Sequence, residues 1–578
     1  MNWSLDALFK GYDDPHYEAT FNTLEALIKE ADAWVKSAND NPQEALKKGL
    51  EISRSFRTEY LKVGAFNSLT LATNTQNMDA LKESQRAQVL ASKMSPFSTA
   101  FENYVALQEE TVWNDDEDLR PFSYYLGRLK SSAKYLLSSA EEQLLSELSS
   151  TGGSAWSRLQ GVLTSTLMID VLGENKPLSD VRNMAFSADQ TVRKAAYEAE
   201  LQAYEKVDEA VAASLNSIKG EVNLLTRKRG FNSPLSQATY QSRMEEETLA
   251  VLIKAMKDHR PKFQAYLKRK AKLLGHKQLP WFDLFAPLGE SQTTFTESSA
   301  IDYVEKQFRS FSDELGDLAR RSYDEKWIDF PPKKGKRGGA FCSNLHPINA
   351  SRILLNFEGS FSNVITLAHE LGHAYHGDQI FKEDILNASY TMPVAETAST
   401  LCETIVKRAA IDDAEGAEKI FLLEQSIMGS TQVIIDILSR FSFESNVFEE
   451  RLKGPLSVDR LKTLMTEAQV EAYGDAVDPE KLHPYMWINK PHYYSAGLSF
   501  YNFPYAFGLL FAKGIYAQYS EQGSSFVPRV NELLRKTGQQ SVEDVASLIG
   551  IDVKDEAFWH ASLSVIEAEI DQFLALTE

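Results

Sequence analysis

The sequence predicts a mostly α fold with a minor β element, and three observations carry that reading. The chain of 578 residues exceeds what one hydrophobic core usually organises, so more than one lobe is expected. Apolar residues recur at helical three- and four-residue steps through most of its length. One short stretch, Arg352 to Phe357, alternates instead, with Ile353, Leu355 and Phe357 forming an apolar face.

Helical periodicity dominates the first third, as in Leu24, Leu27, Ile28, Ala31, Trp34 and Val35, a stripe expected to be core. The small-residue run SSTGGS at Ser149 to Ser154 breaks the pattern, and a Ser-x-x-x-Thr start near Ser187 opens another long charged helix. A lobe boundary is placed near residue 200, giving residues 1–200 as an N-terminal helical lobe and 201–578 as the second domain. Pro/Gly-rich, basic residues 331–342 then form a loop, with Lys333 to Arg337 expected to be solvated, and SRILLNFEG from Ser351 follows as a strand. Helical patterns resume to the C-terminus.

With 43% hydrophobic and 25% charged residues the composition is that of a folded globular protein. A formal net charge of -20 repels phosphate backbones and anionic headgroups, which argues against nucleic acid as a partner. Cys342 and Cys402 are the only cysteines, too few for a disulfide framework or a cysteine-only metal site, and they suit a reducing compartment. The N-terminal residues lack a secretory pattern, and no uninterrupted apolar run of about 18 residues argues for a membrane span, so a cytoplasmic protein is expected.

Chemistry concentrates in SNVITLAHELGHAYHGDQIF, residues 362–381, a helix that Ser362 can cap. Residues four apart differ by about 40° around a helix, so His369 and His373 project side by side and can share one metal ion. Glu370, offset by one residue, can reach a water on that metal as a general base. A catalytic zinc needs a third ligand and an open position. TMPVAETASTLCETIVKRAA supplies Glu396 as that ligand, on a second helix packed against the first. Glu403, on the same face, can hold a ligand imidazole in one tautomer. His376 points away from the pair and is assigned to structure or to support of the ligands. Gly372 costs about 1 kcal/mol relative to Ala inside a helix, so something is expected to pack closely on it. Asn356 and Gly359, in LLNFEG, are expected to bind substrate if that strand offers its edge to a peptide backbone.

HELGHAYH followed by PVAETAS, with Glu396 27 residues after His369, closely resembles the thimet oligopeptidase and oligoendopeptidase F family, nearest the oligoendopeptidase F branch. WFDLFAP at Trp281 to Pro287, GKRGGAF at Gly335 to Phe341, LLNFEG at Leu354 to Gly359 and PHYYSAGLSFYNFPYAFG at Pro491 to Gly508 extend the resemblance over roughly residues 200 to 510, while the first 200 match only in helical character. The resemblance implies a two-lobed, α-rich ellipsoid with a deep channel, one Zn2+ per chain held by His369, His373 and Glu396, and Glu370 as base. It implies cleavage of short peptides inside the channel, with folded proteins excluded. The aromatic block is expected to face the scissile carbonyl through His492 and Tyr505, with Tyr501 and Tyr494 behind them. Two other readings remain at this point: a metallocarboxypeptidase of similar helical build, and a non-catalytic peptide-binding protein that keeps a zinc. The oligomeric state is not legible.

Overall fold

A computed structural model describes residues 1–37, 41–289 and 293–578. The chain is 71% helical. Its first three long helices, Pro15–Lys36, Pro42–Thr73 and Met78–Ala106, begin at Asp14, Asn41 and Asn77, whose side chains accept from backbone N–H groups of the first turn. Pro15 and Pro42 follow two of these caps, where a missing N–H costs nothing. The stripe on the first helix is buried from Leu24 to Trp34, as expected, but Val35, on the same face in the last turn before the helix ends at Lys36, is 42% exposed.

Apolar packing divides into two clusters. The smaller runs from Leu8 to Leu126 and takes in Leu345, Ile385 and Leu386 from far along the chain. Trp34 anchors it, with the rings of Phe97 and Phe101 at 5.4 and 5.6 Å. The larger runs from Leu167 to Phe573. The boundary expected near 200 falls inside the helix Gln190–Tyr204, whose Ala196, Tyr197, Ala203 and Tyr204 all belong to the larger cluster. That helix also starts differently from expectation. Asp189, not Ser187, caps it by accepting from Thr191 N, and Ser187 Oγ accepts from Asp189 N. SSTGGS does form a turn, between helices Ser139–Ser149 and Gly153–Ser165.

Strands β1 (Met168–Val171) and β2 (Glu174–Pro177) make an antiparallel hairpin that the periodicity did not reveal. The sheet beside HELGH is the expected one: β3 (Ile328–Asp329), β4 (Phe341–Leu345) and β5 (Ala350–Leu354), in the order β3-β5-β4. All five residues of β5 are buried, Arg352 included, because the strand is central and covered on both faces. The basic loop before it is not simply solvated. Lys336 buries its ammonium at 2.6 Å from Asp329 Oδ1 and also donates to the carbonyls of Asp329 and Pro331, which ties the loop to β3.

The run Gly416–Arg451 is, among the described residues, the one long and apolar enough to cross a membrane by length and composition. Its most apolar window is 61% buried inside the protein, with Leu423, Ile427, Ile434 and Ile435 in the larger cluster.

Candidate metal centre

The helix carrying HELGH spans Phe361–Ile380 and is capped by Ser360 rather than Ser362. Ser360 Oγ accepts from Asn363 N at 3.2 Å while Asn363 Oδ1 accepts from Ser360 N at 3.3 Å, a reciprocal box that fixes the helix start. The helix packs on β4, β5 and the helix Thr397–Asp413. Gly372 makes the last contact possible, since a Cβ there would lie 2.5 Å from Ser399 Cα and 2.6 Å from Ala398 O. The cost of a mid-helix glycine thus secures a close crossing of two helices.

That crossing assembles the donors. His369 Nε2 and His373 Nε2 are 3.2 Å apart, and Glu396 Oε2 lies 3.4 Å from the first and 3.5 Å from the second. Bonds of about 2.0–2.1 Å at tetrahedral angles set ligand atoms about 3.3–3.4 Å apart, so the triangle has the size of one face of a zinc tetrahedron. Among the described residues these three form a group able to hold one ion. Glu396 sits at the junction of the short helix Met392–Ala395 and the helix Thr397–Asp413. Ser399 Oγ donates to its Oε2 at 2.9 Å.

Glu403 lies beside one of the donor imidazoles. Its Oε1 lies 2.6 Å from His369 Nδ1, which places the proton on Nδ1 and leaves the Nε2 lone pair facing the donor triangle. Burial works against its charge, but Lys407 and the His369 imidazole hold the carboxyl well below the usual carboxylate range. Lys407 bonds the other oxygen at 2.5 Å, and its position four residues on from Glu403 made it findable in the sequence. Glu370 is buried and its Oε2 has no hydrogen-bond partner. Burial pushes its carboxyl up to about 7, with Glu396 and Glu403 adding repulsion.

His376 does not touch the donors. Its ring stacks on Tyr390 at 4.0 Å and its Nε2 meets Thr537 Oγ1 at 2.8 Å, deep in the core. Asn344 was missed. It donates to His373 O at 3.1 Å from β4, and a Cβ on Gly377 would meet it at 2.4 Å, so it locks the strand to the helix one turn past HELGH.

Three residues expected to contact substrate have structural partners of their own. Asn356 donates its amide to Arg337 O and Gly339 O at 3.1 and 2.8 Å, closing the loop before β4. Gly359 has φ +91°, and a Cβ there would meet Phe295 O at 2.7 Å, so it is a backbone requirement. The strand is flanked by both β3 and β4 at Ile353 and Leu354 and by β4 alone over residues 350–352, and beyond Leu354 the side facing β3 is occupied, since Leu355 and Phe357 donate to Asp329 O and Phe330 O. Tyr494 is fully buried and donates to Trp487 O at 3.0 Å.

The other aromatic residues form a row. His492 and Tyr501 rings are 5.0 Å apart, and Tyr501 and Tyr505 rings 5.7 Å. Pro504 stands in the first turn of the helix Phe503–Gln522, where its ring is tolerated, and Gly508 one turn later lets that helix close on Glu396, whose Cβ would be 2.7 Å from a Cβ there. The row therefore ends beside the donor triangle.

The sequence profile described as Peptidase family M3 matches residues 183–565, and the one described as Oligopeptidase F matches residues 106–168. Group B oligopeptidase PepB of Streptococcus agalactiae is 24% identical over 596 residues, covering 98% of this chain and 96% of the relative. Oligopeptidase PepF of Bacillus subtilis is 25% identical over 468 residues, covering 79% and 69%. In fold, a peptidase from Chlamydophila abortus superposes with a TM-score of 0.84 at 19% identity, covering 100% of this chain and 98% of the other. Oligoendopeptidase-F from Enterococcus faecium does so with 0.71 at 20%, covering 97% and 98%. These likenesses bear out the resemblance seen in HELGHAYH and PVAETAS. With a profile matched over well more than half its length and a donor triangle of the right chemistry, the chain belongs to peptidase family M3, a family of metallopeptidases.

Proposed function

We propose that the protein is a cytoplasmic, zinc-dependent oligoendopeptidase that hydrolyses internal bonds of short peptides. The observation that carries the reading is the triangle of His369, His373 and Glu396 donors with the unpartnered, buried Glu370 carboxylate beside it. A structural zinc site is closed by four protein ligands, whereas three donors leave a position for water or substrate. Names among the relatives, oligopeptidase and oligoendopeptidase F, support peptides as substrates and internal cleavage. Two separate apolar clusters support a two-lobed arrangement that limits the substrate to short chains. The free thiols of Cys342 and Cys402 suit a reducing compartment.

When bound, zinc supplies Lewis-acid polarisation of the peptide carbonyl and a water of lowered pKa. His369 and His373 present neutral imidazole nitrogens, and Glu403 keeps His369 in the tautomer that allows this. Glu370 accepts the proton of the attacking water and returns it to the departing amine, one group serving as base and then as acid. Its burial, which favours the protonated form more than water would, brings its proton affinity close to neutrality, where both transfers are easy. Tyr505 and His492, with Tyr501 between them, supply donors to the oxyanion that develops on the carbonyl.

The test is an internally quenched peptide blocked at both ends, given to the wild type with and without chelator and zinc re-addition, and to Glu370→Gln. Internal cleavage that follows the zinc and is lost in a variant still holding one metal per chain is expected. Trimming of free-ended peptides alone would replace this reading by the carboxypeptidase, and no cleavage of either kind by the carrier of a non-catalytic zinc.

A further inference from the structure

A cavity of about 960 Å³ lies apart from the metal donors. Helix Ser123–Ser132 forms one wall, and the stacked rings of Tyr135 and Phe231, 3.8 Å apart, form another. Its floor reaches Ala496 and Gly497, in the loop that carries His492 on one side and Tyr501 on the other. A small adjoining cavity shares Gln241, Ala496 and Gly497 with it. That one shares Ala238, Gln241 and Ser499 with a third, of about 240 Å³, bounded by Met392 and Tyr501. The three cavities thus share lining residues in sequence from Tyr501 of the aromatic row to the large cavity.

Three arginines border the large cavity, and they differ in what they do. Arg229 is committed, with bonds of 2.6 and 2.9 Å to the two oxygens of Glu142. Arg128 and Arg243 have no carboxylate within 4.0 Å among the described residues, although the chain carries 81 Asp and Glu. Arg243 gives one bond to the backbone, Nη1 to Gly538 O at 3.1 Å, and sits 5.7 Å from the Tyr124 ring. Its Nε is buried without a partner. It also holds φ at +53°, a backbone conformation that costs stability for a bulky side chain. Of the carboxylates that line the cavity with them, Glu142 pairs with Arg229, Glu543 accepts from Glu245 N and Thr248 Oγ1, Glu245 pairs with Lys554, and Glu221 lies against Gly152 and Gly153 rather than within 4.0 Å of either arginine. Burial and the charge of Arg128 together press the Arg243 pKa down to about 10, the signature of a cation that lacks its counter-ion.

We propose that Arg128 and Arg243 form a subsite for a carboxylate of the bound peptide, either its free C-terminus or an Asp or Glu side chain. A guanidinium fork matches a carboxylate in two parallel bonds, and two unneutralised forks on one cavity wall are a site for that anion. The aromatic wall of Tyr135, Phe231 and Tyr240 accepts an apolar neighbour in the same peptide. The proposal rests on the peptidase reading for its ligand class, and its test is independent of turnover.

The test measures binding of hydrolysis-resistant, reduced-bond peptides to the zinc-loaded protein by fluorescence anisotropy. One peptide has a free C-terminus, one is its amide, and one is the amide with a terminal Glu. The wild type is expected to bind a carboxylate form at least about tenfold more tightly than the plain amide, since charge-assisted bonds of this kind reach that size. Arg128→Gln and Arg243→Gln are expected to abolish the difference and leave amide binding unchanged. Which carboxylate form gains identifies the source. Equal binding of all three peptides, no binding of any, or a difference that survives both variants overturns the subsite. Arg128 is exposed, so its variant decides the matter even if Arg243→Gln melts early. A protein that discriminates in binding yet cleaves no quenched peptide refutes the peptidase reading alone. One that cleaves without discriminating refutes the subsite alone.

Discussion

Replacing Gly372 by Ala sets two physical effects against each other. Helix propensity alone favours the change by about 1 kcal/mol, because Gly is that much poorer than Ala in a helix interior. The structure points the other way. The new Cβ would lie 2.5 Å from Ser399 Cα, 2.6 Å from Ala398 O and 2.8 Å from Ser399 N, all backbone atoms that no rotamer change can move aside. Carbon atoms rest at about 3.5 Å or more, so the helix Thr397–Asp413 must retreat by about 1 Å along that line. Overpacking of this kind costs about 1–3 kcal/mol, which cancels or exceeds the propensity gain. The functional effect is larger, because Glu396 and Glu403 flank the point of contact and move with it. A displacement of about 1 Å in a catalytic constellation can cost on the order of 100-fold in rate. Melting of the metal-free protein, zinc affinity by competition with a chromophoric chelator, and turnover of the quenched peptide together make the assay. The expected result is a melting temperature equal to or below wild type, with weakened zinc binding and turnover down by one to two orders of magnitude. A variant that melts higher, binds zinc like wild type and keeps its rate would refute the close-packing argument.

Glu403→Gln keeps the side chain's shape but loses the charge that orients His369, and zinc affinity is expected to fall about 10- to 100-fold in the same competition assay. Affinity unchanged from wild type would remove Glu403 from the site. Tyr494→Phe deletes a buried bond to Trp487 O and should lower stability by about 1 kcal/mol while leaving KM untouched. A higher KM at unchanged stability would return Tyr494 to the substrate. Glu142 is held below its ordinary range by its bond to Arg229. Its contribution is therefore present above the unfolded carboxyl value of about 4.3 and is lost as pH falls through the lower folded value. The gap in melting temperature between wild type and Glu142→Gln should be open at neutral pH and close in acid, and a gap that persists in acid would show that Arg229 is not its cause.

The features legible in the sequence are those that the α-helix repeat controls. Four residues of spacing place His369 beside His373, seven place Glu403 on the face of Glu396, and one inserts Glu370 between the imidazoles; none of this depends on distant parts of the chain. The penalty of Gly372 was likewise a local quantity, and it announced a contact without naming the partner. That the partner is the backbone of Ala398 and Ser399 follows from the packing of the second helix on the first. The tertiary structure also gave Asn356, Gly359 and Tyr494 backbone partners at Gly339, Phe295 and Trp487, which the sequence could not show to be near. His376 went to Thr537 and Tyr390 for the same reason. The pairing of Arg128 with Arg243 lies furthest from any local rule. They are more than 100 residues apart, each is ordinary in its own segment, and it is the folding of distant segments around one cavity that brings two arginines together with no carboxylate within 4.0 Å of either among the described residues.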